Sequence, residues 1–560
     1  MFDTVRQAMA WVHTGFGLVL GYVLMVVFFF GTLSVFDREI DRWAVPETRF
    51  AVQPMPSFDR VLAPVYQRLR PDPADLERIA RRVTGELPDV ASLPLVSLFA
   101  YTTHRDPVLL VGAEFGVPNA PLDPADDHLH AHGRAQVDPR SGAFLPENRL
   151  QIGTDFFYPM HYSLNASPAI IGYWVVGLAA MSMLAALVTG LLIHRRLLRE
   201  LFTFRPHKRS QRSTLDLHNL TGVVALPFHF FFALTGLLIF AAIYLPVHDS
   251  LLRPLDRQHE VLEAAQTGLP HEPAGVPAPL ASVDAMVAQA KARWAQRGIP
   301  GEVGFLTIEH MGDLNGYVSI FRAGSDRVAL VGEGIHFSAR TGEILHEDPA
   351  PSAVHAVSEF LTGLHLQHFR HWLLRWLYVL GGLVGCVCIA TGFIFFTEKR
   401  KRQWAHHSPQ SLRSVDALAV TAVTGMVLAV LGMLVANRVL PIDLPARAGW
   451  EERAFWYTWL CALLHAWVRS TALLGGAVSP AWREQCIGIA ALAVLAVTLN
   501  WVTTGDHLWH TVTTGYWPVA GVDASLLAVA VIAFTAAVRL YGRGAEAASS
   551  AVEPVEASRG

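Results

Sequence analysis

Residues 13–36 read HTGFGLVLGYVLMVVFFFGTLSVF, an apolar run long enough to cross a bilayer with a histidine at its head. The pattern returns at residues 218–240 as HNLTGVVALPFHFFFALTGLLIF. In both copies one glycine stands four residues after the histidine (Gly17, Gly222) and another eighteen after it (Gly31, Gly236). A second pair repeats as well: MHYSLNASPAIIGYWVVGLAAMSMLAALVTGLL at 160–192 and LHLQHFRHWLLRWLYVLGGLVGCVCIATGFI at 364–394. Each places a histidine (His161, His365) before an apolar helix that closes on Thr-Gly, at Thr189-Gly190 and Thr391-Gly392. The first 400 residues are therefore one unit of helix, extramembrane segment and helix, written twice.

Composition agrees with a membrane chain. Hydrophobic residues make up 52% and charged residues 16% of the 560, a balance that no soluble domain of this size needs. The net charge of −3 argues against nucleic-acid binding, and the basic residues follow topology rather than one surface. The four cysteines (Cys386, Cys388, Cys461, Cys486) all fall in apolar runs, which disfavours a disulfide framework or a cysteine-based metal centre.

Taken in order, the chain predicts a retained first helix within residues 1–36, because no small-residue cleavage site precedes Asp37. Residues 37–166 mix helical and β-rich stretches and predict a soluble α+β domain. Residues 167–245 hold helices two and three around the basic loop HRRLLRELFTFRPHKRSQR, which the positive-inside rule places in the cytoplasm. A second α+β domain at 246–360 follows the order of the first, and its turn SARTGEILHED parallels DPRSGAFLPEN. Helix four, at 361–400, returns to the basic EKRKRQ, and four more apolar segments lie within 412–541. The expectation is an all-α membrane bundle of about eight spans with both termini inside, two small periplasmic α+β domains, and a disordered tail at 544–560.

The paired histidine–glycine helices, the segment TGLLIHRRLLRELFTFRPHKRSQRSTLDLHNLTGVVALPFH, the LRWLYVLGGLVG helix and the later ANRVLPIDLPARAGWEERAFW resemble the PepSY-associated transmembrane helix family. The similarity is strongest to its branch of iron-regulated membrane proteins, which includes bacterial ferrioxamine reductase. It implies a bacterial inner-membrane protein with PepSY-like periplasmic domains that reduces a ferric siderophore. Fold alone does not fix the substrate.

Histidines in or beside the bilayer core need partners, since an unsatisfied polar group there costs several kcal/mol. Haem iron is one such partner and takes one nitrogen from each of two helices in electron-transfer sites. His13 lies seven residues in from Arg6 and His218 six in from Arg212, a matched depth of roughly 10 Å. His161 and His365 precede their apolar runs at the opposite edge. Two levels with two histidines each are what two b-type haems require, so His13, His218, His161 and His365 are the expected iron ligands; the alternative is that they are interfacial histidines bonded to backbone carbonyls or water. His194, among arginines at the end of helix two, is an alternative inner ligand or a solvated helix-end cation. His229, among Phe228, Phe230, Phe231 and Phe232, falls mid-membrane and reads as a redox group, with a core hydrogen bond as the alternative. Straight helices would separate the two levels by roughly 40 Å, so either the outer histidines fold back or His229 belongs to an outer or intermediate haem.

Other stretches carry less. DDHLHAH (126–132) alternates histidines as a strand would, for a metal, a ferric chelate or solvent. His368 and His371 read as interfacial, on one helix face with His365, and His368 is the substitute ligand candidate. There is no dinucleotide-binding glycine motif, no P-loop and no Ser/His/Asp pattern on a plausible scaffold. The electron donor is then a quinol or a cytoplasmic reductase, and the electron acceptor a ferric siderophore or similar iron chelate. The competing class is a non-enzymatic iron-chelate transporter or a membrane binding module.

Overall fold

The first apolar run does not form one rod. In the computed structural model, which describes residues 4–51, 57–81, 89–90, 93–101, 106–117, 130–193, 210–244, 262, 265–270, 272–330, 333–475 and 479–552, it is a pair of helices, α1 (Val5–Val19) and α2 (Gly21–Ser34), that meet at 59°. An added Cβ at Gly21 would sit 3.1 Å from the Phe393 ring, so the small residue lets the bent backbone approach its neighbour. A short helix α3 (Asp37–Ala44) follows. The chain re-enters the same unit at 148, turns through α4 (Tyr158–Tyr162) and rises into α5 (Ala169–Ile193).

The repeat carries the bend with it. Helices α6 (Ser210–Val224) and α7 (Leu226–Ile239) meet at 63° around Ala225, 205 residues after Leu20, the interval that also separates His218 from His13. Here Pro227 opens the second half, and its missing N–H and fixed φ account for the break. Helix α8 (Trp372–His407) is unbroken. Four further long helices of this unit follow: α9 (Pro409–Val439, through a π turn at Thr421–Gly425), α10 (Arg447–Arg469), α11 (Ala481–Thr504) and α12 (Trp517–Val552).

Among the described residues five helices are long and apolar enough to cross a membrane, or seven when each bent pair is one span. These match seven of the eight expected spans. The eighth falls on α10, whose first two turns carry Arg447, Glu451, Glu452 and Arg453 and lower its apolar content.

Residues 37–46 and 148–166, expected in the first soluble domain, belong to the membrane unit. Their polar groups are satisfied inside it. The buried Asp41 carboxylate accepts from the Gly153 N–H at 2.7 Å and the Thr154 hydroxyl at 2.8 Å, and Trp43 Nε1 donates to Asp523 of α12 at 2.7 Å. Arg375 of α8 forks onto Glu39, both contacts 2.8 Å, and reaches the Val35 carbonyl at 2.6 Å. These are the partners that buried polar groups demand.

The second unit, Glu47–Glu147 with Leu245–Trp372, corrects the expectation of two separate α+β domains. Strands β1 (Leu95–Tyr101), β2 (Leu109–Gly116) and β3 (His130–Val137) come from the first stretch. Strands β4 (Val303–Glu309), β5 (Tyr317–Arg322), β6 (Gly334–Ser338) and β7 (Ile344–Glu347) come from the second. All seven form one antiparallel sheet in the order β3-β2-β1-β4-β5-β6-β7, joined where Leu98 faces Ile308 and Ala100 faces Leu306. Pairing β1 with β4 removes two edges that separate domains would have left open. One face packs the helices Phe58–Arg68 and Val283–Gln296 over a core that includes Leu62, Val65, Met286, Trp294, Val111 and Ile320.

Those two helices exchange caps. Ser57 and the Phe58 N–H donate to Asp284 at 2.5 and 2.6 Å, while Ser282 and the Val283 N–H donate to Asp59 at 2.6 and 2.7 Å. Each serine also accepts from the N–H three residues on, as an N-cap does.

Candidate functional site

His13 and His218 come together in the membrane unit. Their ring centroids lie 6.1 Å apart with the planes at 76°. Each ring is held from across a helix contact in the same way. His13 Nδ1 lies 3.0 Å from the Ala186 carbonyl of α5, and His218 Nδ1 lies 2.8 Å from the Cys388 carbonyl of α8. A carbonyl oxygen only accepts, so Nδ1 carries a proton in both rings, which leaves Nε2 as the nitrogen able to ligate. That is the tautomer in which a metal-ligating histidine is fixed by its surroundings.

The Thr-Gly closures noted in the sequence explain themselves here. Thr189 donates to the Ala185 carbonyl at 2.8 Å with its oxygen 3.3 Å from His13 Nδ1, and Thr391 donates to the Val387 carbonyl at 2.7 Å. Gly190 and Gly392 supply clearance: a Cβ would lie 3.4 Å from His13 Cε1 and 3.3 Å from His218 Cε1. So each half of the repeat contributes a histidine, a carbonyl to orient the ring and a glycine to admit it. By contrast, among the described residues nothing lies within 4 Å of a Cβ at Gly17.

His161 does not sit at the outer edge where straight helices would leave it. The α4 segment folds back along α2, and His161 Nδ1 lies 2.8 Å from the Val27 carbonyl. Gly31 makes room, since a Cβ there would be 2.7 Å from that nitrogen. Val27 is fourteen residues beyond His13, roughly 20 Å along the broken helix, half the separation expected from straight rods.

His229, 2% exposed, faces α2 at the same turn. Its ring stands edge-on to Phe28 at 5.5 Å, and among the described residues its Nε2 has no hydrogen-bond partner. Three glycines of α8 cut the notch that receives this level. Cβ atoms at Gly381, Gly382 and Gly385 would lie 2.3 Å from Phe228, 2.1 Å from Thr32 and 2.4 Å from Phe28, with His229 Nε2 3.2 Å from the last. Sequence reading took GGLVG as a family mark and missed this function, although the glycine spacing on one helix was the available signal.

The remaining histidines fall elsewhere. His365 occupies the last turn of the helix Ala353–Leu366 in the sheet-bearing unit. That helix ends at Gln367 in the left-handed region (φ 59°), so His368 and His371 lie beyond it and do not share a helix face with His365. His194 lies outside the described residues. Beside α4 opens a cleft of about 370 Å³. Asp155, Tyr162, Asn165, Tyr173, Glu452 and Trp456 contribute to its lining.

An iron held by two imidazole nitrogens at about 2 Å each sets the ring centroids roughly 6 Å apart. The His13–His218 spacing, the Nδ1–H tautomers and the glycine clearances all fit that group. Residues 10–399 match the family described as the PepSY-associated TM region. The chain belongs to this family. It is also similar to the uncharacterized protein PA4219 of Pseudomonas aeruginosa, 27% identical over 389 residues that cover 67% of this chain and 91% of that protein. The matched region contains both members of every repeated histidine pair and ends before α9.

Proposed function

We propose that this membrane protein is a b-type haem oxidoreductase of the bacterial inner membrane that carries electrons across the bilayer to a ferric siderophore or similar iron chelate. The reading rests on one observation: two repeat-related histidines on α1 and α6, each with Nδ1 on a carbonyl of a neighbouring helix, present their rings at the spacing of a bis-histidine iron site. When bound, haem supplies a one-electron iron couple. His13 and His218 would hold it, the Ala186 and Cys388 carbonyls keep both rings oriented, and Gly190 and Gly392 keep the approach open. His161 supplies a ligand at the outer level, with His229 on the adjacent face of the same α2 turn.

The basic segments 194–212 and 399–402 lie in the cytoplasm in this scheme, and with α10 counted as a span both termini do too. The cleft beside α4 then opens on the periplasmic side next to His161. Its volume is within the range of ligand pockets, and it is a suitable dock for part of a chelate. Reduction releases the iron because the ferrous ion is held far less tightly by hard oxygen ligands. The donor is a quinol or a cytoplasmic reductase.

Protein expressed with ample haem and purified should show a Soret band and sharp α and β bands on dithionite reduction, with two haems per chain. His13→Ala and His218→Ala should each remove the same haem, and the double variant no more. His161→Ala should remove the other, whose second ligand is identified by comparing His229→Ala with His365→Ala. Colourless protein overturns the reading and leaves a transporter or binding module. Loss of two different haems from the first pair overturns the shared inner site.

A further inference from the structure

The alternating histidines of DDHLHAH acquire neighbours that the sequence did not reveal. His130 and His132 lie on β3, two residues apart and hence on one face, and β3 pairs with β2 so that His132 stands directly opposite Glu114. His130 Nδ1 lies 3.6 Å from Glu114 Oε2, and His132 Nε2 lies 3.9 Å from Glu114 Oε1. Donor atoms bound at about 2.1 Å to one metal ion stand roughly 3.0–3.5 Å from one another. The spacing seen is a few tenths of an ångström wider. Among the described residues no group of three such side chains stands close enough to hold a metal ion, so a bound ion would have to draw Glu114 and His130 together.

The supporting contacts are those of a metal site. Asp75 accepts from His132 Nδ1 at 2.8 Å and from the His132 backbone N–H at 3.0 Å, which fixes the ring and leaves Nε2 as the ligating nitrogen. Carboxylate, histidine and metal in that order is the usual orienting arrangement. Asp75 is itself engaged by Arg78 at 3.0 Å, so it serves as an anchor rather than a competing ligand. Ser97 donates to Glu114 Oε2 at 3.0 Å and steadies the carboxylate. His130, His132, Glu114 and Asp75 are partly exposed on regular strands or a short helix, within reach of an ion from solution.

We propose that His130, His132 and Glu114 bind one divalent first-row transition ion, with Asp75 as the positioning residue behind His132. Two imidazoles and one carboxylate with open positions suit ferrous or zinc ions and disfavour magnesium or calcium. The site is independent of the haem histidines, and its test needs no electron transfer.

The test is calorimetric titration of ZnCl₂ into the full-length, untagged protein in detergent, with metal-to-protein ratios by elemental analysis after dialysis. The wild type should retain one zinc ion per chain. Glu114→Gln and His132→Gln should lose that equivalent, and Asp75→Asn should weaken it 10–100-fold with the stoichiometry kept. A far-UV melt unchanged in these variants separates loss of ligands from unfolding. Should one of them melt early, His130→Gln, whose side chain is not used by Asp75, carries the test. No retained zinc in the wild type, or zinc retained equally by Glu114→Gln and His130→Gln, overturns the proposal.

Discussion

At the scale of single residues, the recurring device is a polar group whose freedom is removed by one hydrogen bond. His13, His161 and His218 each place Nδ1 against a backbone carbonyl, which fixes a proton on that nitrogen. In the soluble unit Asp138 shows the charged version. Hydrogen bonds from Arg140 Nε at 2.9 Å and Nη2 at 2.8 Å hold its carboxyl below the usual carboxylate range, against the opposing effect of burial, and the Arg140 N–H adds to them. A folded-state value below the unfolded one means that the stabilisation is complete above the unfolded value of about 4 and fades as pH falls through the folded one. Thermal melts of the full chain between pH 6 and pH 3 should therefore show Asp138→Asn less stable at pH 6 and the gap to wild type narrowing towards pH 3. A gap that stays constant across that range rules out the ion pair as its source.

Helices and strands show the duplication most plainly. The bends at Leu20 and Ala225 are the same feature reached by different chemistry, a glycine's close approach in one and a proline in the other. Between the helices Phe58–Arg68 and Val283–Gln296 the exchange of Asp59 and Asp284 links the two repeats at their N-termini, where carboxylates also meet the favourable end of the helix dipole. Loss of one cap typically costs about 1 kcal/mol. Asp59→Ala and Asp284→Ala should each lower the midpoint of denaturant unfolding by an amount of that order. The double variant should lose measurably less or more than the sum, because the two carboxylates serve one shared interface. Additive losses would mean two independent caps.

For the whole molecule, the 400-residue duplicated unit and the C-terminal helices are joined by buried polar contacts rather than by apolar packing alone. Asp523 of α12 accepts from Trp43 and, at 3.2 Å, from Asn500 of α11, while Arg438 of α9 donates to the Trp43 carbonyl and covers its ring at 4.4 Å. Orientation in the bilayer is set by the basic segments. A reporter fused after Lys401 should score cytoplasmic and one inserted at Asp326 periplasmic, with α10 decided by a fusion at Ser479, which should score cytoplasmic if α10 spans. The inverse pattern at Lys401 and Asp326 would reverse the electron path.

The residue order alone determined that the chain is a duplicated membrane protein, that His13 pairs with His218, and that Thr-Gly closes each partner helix, because repetition and apolar length are local properties of the sequence. It also pointed to His130 and His132 as one strand face. Only the tertiary structure brought Glu114 and Asp75 to them, since that pairing depends on strand register. Merging of the two soluble stretches into one sheet was likewise invisible, because each stretch read alone is a complete α+β pattern and nothing local marks β1 and β4 as partners. The fold-back of α4, which moves His161 inward by about half the distance expected of straight helices, and the glycine notch that admits Phe28 and His229 were decided by packing between helices far apart in the chain.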